Sequence, residues 1–62
     1  FLSITSKEKI DIGNFQLISF KFENNLYDYV ISGNKSELLK FQEKTIENNN
    51  ENIEKITSNF YS

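Results

Sequence analysis

The side chains able to do chemistry are nine Asp and Glu, seven Lys and three Tyr; the chain has no His and no Cys. General-base and nucleophilic catalysis lean most often on those two missing types. A metal would have to sit on carboxylates alone, which suits Ca²⁺ or Mg²⁺. The carboxylates fall on faces that read as solvated, with no pair suited to glycoside hydrolysis. Gly13 and Gly33 stand alone, so there is no glycine-rich phosphate loop. Asn34-Lys35-Ser36 fits a glycosylation acceptor, a pattern that arises readily by chance. The chain is expected not to be an enzyme, and to need no cofactor, no metal and no small-molecule substrate.

The basic residues point the same way. All seven are Lys, and Arg is the usual bidentate reader of phosphate and guanine. Nucleic acid is therefore not the expected partner, although exposed Phe and Tyr on a sheet could stack on bases. No segment approaches the roughly 20 apolar residues of a membrane span, and no basic region with an apolar core marks a signal peptide. The expectation is an intracellular, cytoplasmic chain whose first residue is Phe1 rather than Met.

These residues need elements to position them. "FLSIT" at 1–5 alternates and favours a strand. "IDI" at 10–12 alternates again, before the Gly13-Asn14 turn signal. "FQLISFKFE" at 15–23 is the strongest strand pattern in the chain. Asn24-Asn25 then fits a type I′ hairpin, since Asn tolerates positive φ. With that turn Lys21 faces Asp28, Phe22 faces Tyr27, Phe20 faces Tyr29 and Ile18 faces Ile31. One face then carries Ile18, Phe20, Phe22, Tyr27, Tyr29 and Ile31, and a slip by one residue would destroy it. A strict two-residue turn at Gly13-Asn14 puts Ile10, Ile12, Phe15 and Leu17 on the opposite face, unless a bulge shifts the register.

"SGNKSELLKF" opens a helix, with Asn34 or Ser36 as N-cap. Leu38, Leu39, Ile46, Ile53, Ile56 and Phe60 fall within about 100° of one another at helical periodicity. The phase before the asparagine run at 48–50 is thus the phase after it. The reading is one helix over 34–61, with a kink or break at 48–52 as the alternative. A break would make 53–61 a last strand, and that β-α-β ending resembles half of a ferredoxin-like unit.

The expected fold is α+β: one domain over 1–62, with an antiparallel β-meander of three to four strands over 1–33 and one long C-terminal α-helix. Taken as some 26 residues, such a helix would run about 39 Å, past a sheet about 19 Å wide. Its overhang would expose Ile46, Asn49, Ile53, Ile56 and Phe60 as a seam for another protein chain, either a second copy or a larger complex. The expected function is a non-enzymatic protein–protein interaction module or small subunit. One alternative is a small acidic inhibitor, phage- or antitoxin-like, filling a basic groove. The strands-then-helix order also resembles the end of a pleckstrin-homology-like domain, which implies that the chain is a piece of something longer.

Overall fold

The computed structural model describes residues 1–49 and 51–58. Its elements in chain order are β1 (Leu2–Ser6), β2 (Gln16–Glu23), β3 (Leu26–Ser32), α1 (Lys35–Asn49) and β4 (Ile53–Ser58). The described strands form a four-stranded sheet in the order β2-β3-β1-β4. Every neighbouring pair is antiparallel. The α+β class holds, but the path is not a simple meander. β1 lies between β3 and β4, so it runs parallel to β2 with β3 between them.

That order explains why 10–12 is not a strand. Parallel strands cannot be joined by a tight hairpin; the chain must cross the sheet between them. Residues 7–15 make this crossing, and Ile10, Ile12 and Phe15 pack against the core cluster. The Phe15 ring meets Phe41 edge-on, with centroids 5.2 Å apart. Ile10 donates its backbone N–H to the Tyr29 hydroxyl at 3.1 Å. Gly13 still turns the chain, with φ of +64° and an N–H bond to Asp11 Oδ1 at 2.9 Å.

The Asn24-Asn25 hairpin forms in the expected register. Both residues have positive φ, 54° and 64°, as a type I′ turn requires. Glu23 pairs with Leu26, Phe22 with Tyr27, Lys21 with Asp28 and Phe20 with Tyr29. The register then shifts: Ser19 pairs with Val30 and Leu17 with Ile31. Ile18 is the extra residue of a β-bulge, so it does not face Ile31 as its spacing suggests.

Asn34 caps the helix. Its Oδ1 accepts the Ser36 N–H at 2.9 Å, and its carbonyl accepts the Leu38 N–H at 2.9 Å. The helix is neither long nor C-terminal, because it ends at Asn49 and β4 follows. Asn helps itself to local backbone bonds that compete with the helix. Here Asn52 donates its N–H to the Asn49 carbonyl at 2.9 Å, and its own carbonyl accepts from Lys7 N–H at 2.7 Å. The second tie leads the chain alongside β1, whose open edge takes up 53–58 as a strand. With the helix no longer last, the likeness to a pleckstrin-homology-like ending loses its basis. β3, α1 and β4 instead make a β-α-β unit split by β1.

The core lies between the helix and one sheet face. Leu2, Ile4, Ile31 and Leu38 are fully buried, and Tyr29 is 7% exposed. Ser6 is buried too, and its Oγ accepts the Glu8 N–H at 3.2 Å. The other sheet face has no covering layer among the described residues. Across it Lys21, Asp28, Thr5 and Lys55 stand in one row over all four strands, and Thr5 Oγ1 donates to Asp28 Oδ1.

Candidate interaction surface

A helix is about 10 Å wide, and neighbouring strands are about 4.8 Å apart. One helix therefore covers about two strands. α1 packs its Leu38 against Leu2, Ile4 and Ile31, with Ile53 and Ile56 alongside. The cover stops short of β2, and every residue of β2 is exposed.

Leu17, Ile18, Phe20 and Phe22 keep between 45% and 57% of their surface in contact with solvent. Phe20 and Phe22 share the face of their partners Tyr29 and Tyr27, which is the helix side of the sheet. The rings form a band: Phe20 to Tyr29 at 5.2 Å, Phe20 to Tyr27 at 6.3 Å and Phe22 to Tyr27 at 4.6 Å between centroids. Tyr29 anchors the band in the core, and Phe22 ends it in solvent.

β2 is also an edge strand. In a two-residue hairpin the residues flanking the turn, Glu23 and Leu26, exchange hydrogen bonds. By alternation, Phe22 and Phe20 then direct their N–H and C=O groups to the free edge. Unpaired backbone groups thus lie beside exposed aromatic rings.

The residues expected to form a partner seam are not gathered into one stripe. Ile53 and Ile56 lie in β4, half-buried against the core. Asn49 ends the helix and is half-buried; Ile46 is 40% exposed on it. Phe60 lies outside the described residues. The exposure of Phe20 and Phe22 does not follow from their residue types, because an aromatic sheet face more often packs as core. The width of one helix against four strands was the signal available.

A concavity of about 480 Å³ lies between the 7–15 crossing and the helix. Ile10, Ile12, Phe15 and Phe41 line it with apolar surface, and Lys44 and Asn48 with polar surface. Among the described residues no group of His, Cys, Asp and Glu is placed to hold a metal ion. Nor is any described helix long and apolar enough to cross a membrane. Comparison with known protein families, with curated proteins and with solved structures gives no match.

Proposed function

We propose that the chain is a non-enzymatic protein–protein interaction module, a small subunit that joins its partner through the β2 edge and the aromatic band beside it. The observation that carries this reading is the exposure of all of β2, four large apolar side chains included. Apolar patches at a free strand edge are templates for another chain. Removing apolar surface from water contributes about 25 cal/mol per Å², so this band is a reserve of unused burial. Ile53 and Ile56 already serve the chain's own core, which moves the contact away from the helical seam expected from the sequence. An acidic inhibitor has less support: the exposed side of the helix alternates Lys40, Glu43, Lys44 and Glu47 and offers no block of acid.

The test is the double variant Phe20→Ser with Phe22→Ser. It should keep the far-ultraviolet circular dichroism of the folded chain and lose association, measured by sedimentation and by pull-down beside the wild type. Binding through the band should persist at high salt, whereas charge mimicry weakens steeply there. A variant that binds everything the wild type binds would overturn the reading.

A further inference from the structure

We infer that the occupant of the β2 edge is a short antiparallel strand of a different protein, whose residues run basic, apolar, acidic, apolar. The inference rests on the interaction reading above and gives that partner its chemistry. The template is short. The ladder of β2 is regular from Ser19 to Glu23, between the Ile18 bulge and the Asn24-Asn25 turn. Phe20 and Phe22 turn their N–H and C=O groups to the free side, so an antiparallel strand can exchange a pair of hydrogen bonds with each.

The same stretch is ill suited to a second copy of itself. A symmetric pairing centred on Lys21 sets Lys21 against its own copy, and directly opposed like charges are destabilising. Centred on Phe20, the pairing sets Phe22 against the bulged Ile18. Centred on Phe22, it sets Phe20 against Asn24, a turn residue with φ of 54° beyond the end of β2. Lysine on an edge strand guards against self-pairing. A foreign strand with an acid in that place meets attraction instead, so the guard becomes a selector.

Charge gives the partner its pattern. On the face away from the helix Lys21 stands beside Asp28, whose carboxylate accepts from Thr5. Among the described residues the Lys21 ammonium closes no ion pair. An Asp or Glu opposite Lys21 occupies a non-hydrogen-bonded position, with Cα atoms about 4.5 Å apart, where cross-strand side chains come closest. It adds one more alternation of sign to the row that starts at Lys21 and Asp28. Opposite Glu23 the matching residue is Lys or Arg. Opposite Phe20 and Phe22 the partner's side chains fall on the helix side, where apolar residues cover the outer flank of the half-exposed rings.

The probes are two capped synthetic peptides, Lys-Val-Glu-Val-Thr and its charge-exchanged counterpart Glu-Val-Lys-Val-Thr, titrated to millimolar concentration into the ¹⁵N-labelled chain. The first should shift the Phe20 and Phe22 amide signals and slow their exchange with solvent. The second should bind roughly tenfold more weakly. Lys21→Gln adds no new charge beside Asp28 and should narrow that preference to within about threefold. A nitroxide on the N-terminus of the first peptide should broaden the Glu23 amide more than that of Ser19, as antiparallel pairing demands. Phe20 and Phe22 amides that do not respond overturn the inference. So do equal binding of the two peptides, a preference unchanged in Lys21→Gln, or stronger broadening at Ser19. A chain that instead dimerises, and becomes monomeric on Phe20→Ser with Phe22→Ser, overturns the foreign strand and leaves the interaction reading standing.

Discussion

β1 and β2 invert what their compositions suggest. β1 has five residues, LSITS, and three of them are buried. β2 has eight, QLISFKFE, with more and larger apolar side chains, and all are exposed. The difference is one of neighbours. β1 has a strand on each side and a helix above, whereas β2 has one strand and no helix. Burial is set by what arrives to cover a strand, and topology decides that.

Stability measurements can break this comparison. Ile4→Ala in β1 should cost about 2–5 kcal/mol, enough to unfold a domain this small at room temperature; urea denaturation followed by circular dichroism would read it. Gly33→Ala comes next, because a Cβ there would sit 2.7 Å from the Phe15 ring; overpacking of this kind costs about 1–3 kcal/mol. Phe20→Ala should cost only about 1 kcal/mol, since about half of the side chain is already solvated and full burial contributes roughly 1.5–3 kcal/mol. A loss as large as that of Ile4→Ala would mean that β2 is covered after all. On the helix, the Gln42 Oε1 atom is buried without a hydrogen-bond partner among the described residues. Gln42→Met should raise stability by about 1 kcal/mol by removing that unpaired group, seen as a higher melting temperature. Ile18→Ser, at the bulge, should change stability by less than about 0.5 kcal/mol.

The hairpin was legible in the sequence because its signals agree: Asn24-Asn25 set the turn, and rings and charges align on both sides of it. The helix start was legible at Asn34 for the same reason. Two of the misreadings trace to bulges. Ile53 and Ile56 are three apart, which is helical spacing, yet they share one face of a strand. β4 pairs Lys55 with Thr5 but Ile53 with Ser6, so Glu54 is the extra residue and turns a spacing of three into a common side. Ile18 does the same between Leu17 and Phe20. A bulge leaves no mark in hydrophobic periodicity, and strict alternation could not find β4. The helix that was to carry the expected partner seam ends at Asn49, and Ile53 and Ile56 lie in β4 instead. The exposed band was hidden because its residues are those that usually make a core.

The central place of β1 has a consequence for how the chain reaches this state. The β2–β3 hairpin is local, and hairpins close in about 1–10 μs. β1 must instead wait for residues 26–32 and then for 53–58 before both its edges are paired. Contacts this distant in sequence slow folding, because loop-closure entropy is lost before the pairing is gained. On a ribosome β1, made before the other described strands, is thus among the last completed, and Leu2–Ser6 stays open along one edge until residues 53–58 have emerged.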